Sequence, residues 1–66
     1  GQRPTSGQEG MIGEIGEVRE RIAPRGKVWL HGEYWTAESD EELEVGQKVR
    51  VICLSHLVVR VKKATI

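Results

Sequence analysis

Few side chains in this sequence could do covalent chemistry. The candidates are Cys53, the imidazoles of His31 and His56, and the hydroxyls of Ser6, Ser39 and Ser55. A nucleophile needs a base within hydrogen-bond reach, and the base needs a group to orient it. Ser55 and His56 are adjacent in a predicted turn, where neighbours seldom present that geometry. His31 falls in another turn. No catalytic signature surrounds any of these residues, so solvated turn positions are the simpler reading. Cys53 and His56 stand three apart, but no second pair completes a zinc-ligand spacing. The carboxylates of "ESDEELE" lack the alternating ligands and central glycine of a calcium loop. The residues therefore predict no catalytic group, no metal and no cofactor.

The aromatic residues are the next candidates. Trp29, Tyr34 and Trp35 all lie within "GKVWLHGEYW", and the chain has no phenylalanine. Aromatics on a strand can stack bases of single-stranded nucleic acid. They can equally fill the interior of a small barrel. The strands that carry them decide between the two.

A chain of 66 residues is one domain with a small core. Residues 1–10, "GQRPTSGQEG", are polar and glycine-rich and read as a linker, leaving residues 11–66 as the folded domain. From there a period of two dominates. "EVRERI", "KVWL", "EYWTA", "KVRVICL" and "LVVRVK" are five short strands with turn signals between them, which predicts an all-β fold, a small five-stranded barrel. "PRG" at 24–26 is one such turn signal. "SDEELEVG" opens with a capping-box pattern at Ser39 and Glu42, but it is short and charged, and reads as a loop. No apolar run reaches the length of a membrane span.

If His31 and Gly32 form a two-residue hairpin loop, Leu30 faces Glu33, Trp29 faces Tyr34 and Val28 faces Trp35. Paired residues share a face, so the aromatics divide. Trp35 joins Val28, Leu30 and Ala37 inside. Trp29 and Tyr34 pair on the outside beside Lys27. The same alternation predicts a core of Val18, Ile22, Val28, Leu30, Trp35, Ala37, Leu43, Val45, Val49, Val51, Cys53, Leu57, Val59 and Val61. Cys53 then reads as a buried structural thiol. Ile52, Leu54 and Val58 are left outside. Trp29, Tyr34, Lys27, Ile52, Leu54 and Val58 form the predicted interaction surface.

Ten basic residues balance ten acidic ones. That neutrality argues against strong binding of a phosphate backbone. The signs are nevertheless segregated. Glu33 to Glu44 carries acids and no base, while Arg19, Arg21, Lys27, Arg50, Arg60 and Lys62 are predicted to face outward. A basic stripe beside Trp29 and Tyr34 would suit a single-strand binder. Outward Lys and Arg also protect and solubilise barrels, and Glu17, Glu38 and the acidic connector can neutralise them. Protein docking, nucleic-acid binding and self-assembly of a parent protein stay open on the residues alone.

"SGQEGMIGEIGEV", "IAPRGKVWLHGEYWTAES", "VGQKVRV" and "LVVRV", together spanning Ser6 to Lys62, resemble the C-terminal domain of NfeD-like proteins. The resemblance implies a compact five-stranded OB-fold barrel that follows a membrane-spanning region through a short linker. It implies a stomatin-type (SPFH or band 7) protein as partner, with the barrel at the membrane surface, on the cytoplasmic side, and monomeric by itself. Long members of that family carry a separate ClpP-like serine protease domain with a Ser-Lys dyad. Nothing in this sequence matches that domain, and no catalytic residue carries over. The short acidic connector departs from nucleic-acid-binding OB folds, which place a helix between strands 3 and 4.

Overall fold

Residues 9–65 are described in a computed structural model of the chain. Most of the expected linker, residues 1–8 with Ser6, lies outside them. A single 3-10 turn, Glu9–Met11, leads into five strands. They are β1 (Ile15–Glu20), β2 (Arg25–Leu30), β3 (Glu33–Glu38), β4 (Lys48–Ser55) and β5 (Val58–Lys63). The sheet runs β1-β2-β3-β5-β4 and closes on itself, because β1 pairs with β4 as well as with β2. Only the β3–β5 contact is parallel. This is the small OB-like barrel that the strand pattern and the family resemblance predict.

Alternation places the core. Val18, Ile22, Val28, Leu30, Ala37, Leu43, Val49, Val51, Val59 and Val61 are buried, as expected. Met11 joins them from the 3-10 turn. Ile22 and Leu43 form an isolated bridge that ties the connector down. The connector is a loop, as its length and charge predict. Ser39 is buried, and its hydroxyl accepts from the Glu41 amide at 3.2 Å.

The β2–β3 hairpin has the predicted register, with Leu30 opposite Glu33, Trp29 opposite Tyr34 and Val28 opposite Trp35. His31 and Gly32 both adopt positive φ, 53° and 78°, as a two-residue primed turn requires. Trp35 differs in one respect. It is half-buried, packed against the core rather than enclosed by it, and its indole Nε1 is buried with no hydrogen-bond partner.

The β4–β5 hairpin departs from the alternation. A β-bulge between Val51 and Cys53 sets Ile52 and Cys53 together against Arg60. An extra residue in one strand reverses the face of every residue after it. Cys53 is therefore exposed, and the expectation of a buried thiol is overturned. Leu54, expected outside, is partly buried against the core. The turn lies one residue later than "SH" suggested, at His56 and Leu57. Their φ values are 53° and 66°. Leu57, expected inside, is exposed at the hairpin tip. Val45, also expected inside, stands exposed in the turn before Gly46.

Gly26 does more than punctuate a turn. It lies inside β2 and is buried, and a Cβ there would meet the Arg21 carbonyl oxygen at 2.2 Å and that of Glu20 at 2.4 Å. The chain doubles back so tightly through Ala23 and Pro24 that no side chain fits between the two backbones.

Two stability measurements check these points. Gly26→Ala is expected to lower unfolding free energy by about 3 kcal/mol or more in urea melts, since backbone must move to admit the methyl group. Leu57→Gly is expected to raise it by about 1 kcal/mol, by relieving a left-handed conformation that costs an L side chain roughly that much. A loss instead would show that the Leu57 side chain stabilises the hairpin.

Candidate interaction surface

Three of the six predicted surface residues come together. Trp29 and Tyr34 face one another across β2 and β3, with ring centroids 4.9 Å apart and planes at 77°. This edge-to-face arrangement is favoured by the quadrupoles of the rings. Trp29 is 36% exposed and Tyr34 58% exposed, so the pair is open to solvent. Lys27, exposed on β2, joins Tyr34, Arg19 and Glu20 in lining a shallow groove of about 240 Å³.

Arg19, which alternation places outward, is the member that the six-residue predicted surface left out. A second bulge, between Val18 and Glu20, makes it the extra residue of β1. Arg19 faces outward as alternation places it, the bulge brings Glu20 outward beside it, and the Arg19 guanidinium lies 5.3 Å from the centre of the Trp29 ring. A cation over an indole face is attracted by its negative quadrupole. Its place two residues from Glu17, which pairs with Trp29, was the available signal. The surface is thus a cation, two rings and a second cation.

The other three residues lie elsewhere. Ile52 is exposed at the β4 bulge. Leu54 has turned inward. Val58 is half-buried and lines a groove of about 220 Å³ with Arg25, Glu38, Cys53, Ser55, His56 and Arg60. In that groove the Ser55 hydroxyl and His56 Nδ1 come within 3.2 Å, closer than their adjacency suggested. Among the described residues no carboxylate orients the imidazole, so the pair lacks the third member of a catalytic relay. His31 instead faces Glu14, at 3.2 Å. No three His, Cys, Asp or Glu side chains converge on a metal position among the described residues.

The outward arginines are largely committed to carboxylates. Arg21 Nε donates to Glu44 at 2.8 Å and its Nη2 to Glu42 at 2.9 Å. The Glu44 hydrogen bond, with the charges of Glu44 and Glu42, raises the Arg21 pKa above its ordinary value. Arg25 pairs with Glu38, and Arg60 with Glu38 and Asp40. Lys48 faces Glu17 at 3.6 Å. The acidic connector and strand glutamates thus interrupt the basic stripe at Arg19, Arg21 and Arg60, half of its six cations.

The family of NfeD-like C-terminal, partner-binding domains matches residues 8–63. The chain is 40% identical, over 94% of its length, to a membrane-bound protease of Pyrococcus horikoshii, and spans 15% of that protein's length. Among solved structures it resembles the C-terminal domain of a stomatin operon partner protein from Pyrococcus horikoshii. That likeness has a TM-score of 0.85 and 38% identity, over 94% of this chain and all of the other. It also resembles the soluble domain of a membrane protein implicated in regulation of membrane protease activity, from Corynebacterium glutamicum. Here the TM-score is 0.82 and the identity 29%, over 88% of this chain and 98% of the other. No helix among the described residues is long and apolar enough to cross a membrane.

The aromatic contact is measurable without a partner. A double-mutant cycle of Trp29→Ala and Tyr34→Ala, read by thermal or urea unfolding, is expected to give a coupling of about 0.5–1.5 kcal/mol. A coupling near zero would mean that the rings only share a surface.

Proposed function

This chain belongs to the family of NfeD-like C-terminal, partner-binding domains, and on that premise we propose that it docks a stomatin-type (SPFH) protein through the Arg19–Trp29–Tyr34–Lys27 face. The observation that carries this reading is the solvent-open, edge-to-face Trp29–Tyr34 pair under the Arg19 guanidinium. Trp, Tyr and Arg are enriched at interface hot spots, the aromatics because they bury much area with few rotatable bonds to fix. The Pyrococcus structure, described as a stomatin operon partner, supports the choice of partner class.

Closure of the barrel supports the mode. A closed sheet leaves no free strand edge, so a partner segment cannot extend the sheet. Docking has to use side chains on the outer face. The domain acts by binding rather than catalysis in this reading, and any protease activity of a longer parent resides in another domain. The residues ahead of the Glu9–Met11 turn act as the linker. The remainder of the Pyrococcus relative precedes its C-terminal domain, and its description as membrane-bound supports a parent anchored upstream of Gly1. A tether raises the effective concentration of the barrel for a partner in the same membrane.

Titration of the chain with a stomatin C-terminal segment tests the face. Trp29→Ala and Tyr34→Ala are each expected to weaken binding by about 1 kcal/mol or more. Unchanged affinity in both variants would move the interface elsewhere, and no binding by the parent chain would remove the partner.

A further inference from the structure

Three isoleucines remain exposed along the seam between β1 and β4, with Ile15 two residues along β1 from Glu17, the residue opposite Trp29. Ile12 is 52% exposed, Ile52 43% and Ile15 38%. Backbone pairing gathers them. Gly13 donates its amide to the Val51 carbonyl at 2.8 Å, and Val51 donates to Glu14 at 3.0 Å, which lays the Ile12 turn alongside Ile52. Ile15 pairs with Arg50, and Arg50 in turn pairs with Lys62. The bulge after Val51 is what turns Ile52 outward. Of the carboxylates closest along the seam, Glu17 pairs with Lys48, and Glu14 lies 3.2 Å from the His31 imidazole, which offsets its charge only when protonated. Arg50 donates only to the Gly13 carbonyl, and Lys62 has no carboxylate partner among the described residues. Branched aliphatic groups flanked by two uncompensated cations make up this face.

We infer that this face rests on an anionic bilayer surface, with the isoleucines at headgroup depth and Arg50 and Lys62 against lipid phosphates. Charge complementarity favours this occupant, since lipid phosphates attract the two cations while the acyl boundary accepts the isoleucines. Position favours it too. The 3-10 turn that carries the chain in from its N-terminal side immediately precedes Ile12, so a tether on that side brings this face to the membrane first. The inference rests on the reading that the parent is anchored upstream. It adds a second contact to the domain, distinct from the Trp29–Tyr34 face and peripheral rather than spanning.

The test is amide NMR of the 66-residue chain titrated with phosphatidylglycerol vesicles at low ionic strength, with phosphatidylcholine vesicles beside them. Selective broadening at residues 12–15 and 50–52 is expected with the anionic vesicles and much less with the neutral ones. Ile12→Ser with Ile52→Ser is expected to lower vesicle partition about tenfold or more, as loss of two buried aliphatic side chains should. Lys62→Gln is expected to lower it about fivefold, the effect of one cation near an anionic surface. These positions are solvent-exposed, so unperturbed spectra without lipid verify folding. Absence of selective broadening with anionic vesicles would overturn the inference. So would equal broadening of these amides by a soluble acidic peptide, or by raising the protein concentration without lipid. Those results assign the face to an acidic protein or to a second copy of the chain. The chain carries no anchor in this assay, so failure here removes this face alone. The anchored reading of the parent is decided separately, by membrane fractionation of the longer protein.

Discussion

Closing five strands into a barrel leaves an interior that accepts little beyond aliphatic side chains. Six of the buried residues are valines, Val18, Val28, Val49, Val51, Val59 and Val61, with Ile22, Leu30, Leu43, Ala37 and Met11 completing the interior. A ring the size of an indole does not fit among them. Trp35 lies on the inward face of β3 yet stays half-buried, covering the core rather than entering it, with its Nε1 unpartnered. Alternation with buried Val28 and Leu30 sends Trp29 and Tyr34 outside, so their position on the surface is as much a consequence of register as a sign of function. What makes them a candidate contact is that the Arg19 guanidinium lies over the Trp29 ring, and that no free strand edge competes for a partner.

The parts of the fold legible in the sequence are those with a residue type at the turn to announce it. His31-Gly32 places a glycine where φ must be positive, so the register of β2 and β3, and with it the outward aromatic pair, follows from simple alternation. The β4–β5 hairpin has no such marker. Leu57 occupies a left-handed position that leucine disfavours, and the bulge after Val51 contains Ile52 and Cys53, ordinary strand residues. Alternation run through that bulge places Cys53 inside and Leu54 outside, and alternation run back from Val59 and Val61 into the turn places Leu57 inside, each opposite to the structure. Gly26 was legible as a glycine but not for its reason. Its need arises from the backbone of Glu20 and Arg21 folding back against β2, a contact set by the barrel rather than by any turn rule.

The charge pattern has a related logic. In sequence the acids of 33–44 and the bases of the strands are separate blocks, which suggests a continuous basic stripe. In the barrel the connector crosses beside those strands, and Glu42, Glu44 and Asp40 reach Arg21 and Arg60. Exposed pairs of this kind add little to stability. Their consequence is to quench the field that would draw phosphates to this side of the molecule. Cations without a carboxylate partner among the described residues include Lys27 near the aromatic pair and Arg50 and Lys62 near the isoleucines, which stand beside exposed apolar groups. Segregation of charge along the chain is therefore a poor guide to segregation on the surface, because strand order in the barrel is not sequence order.

That topology also decides how the two faces can work together. β1 contributes to both: Arg19 reaches toward Trp29 from its C-terminal end, and Ile15 opens the isoleucine seam at its N-terminal end. The two contacts adjoin along β1 on one closed barrel, so both can face outward at once without a change of shape. A domain held at a bilayer by a linker alone samples all orientations, and only a fraction of them present Trp29 and Tyr34 sideways to a membrane-bound partner. A weak second contact through Ile12, Ile15 and Ile52 would restrict that sampling. Even about 1 kcal/mol of orientation preference multiplies the favoured population roughly fivefold, which is the scale a single exposed cation or aliphatic side chain supplies. Weak surface contacts of that size are negligible for a free domain and consequential for a tethered one.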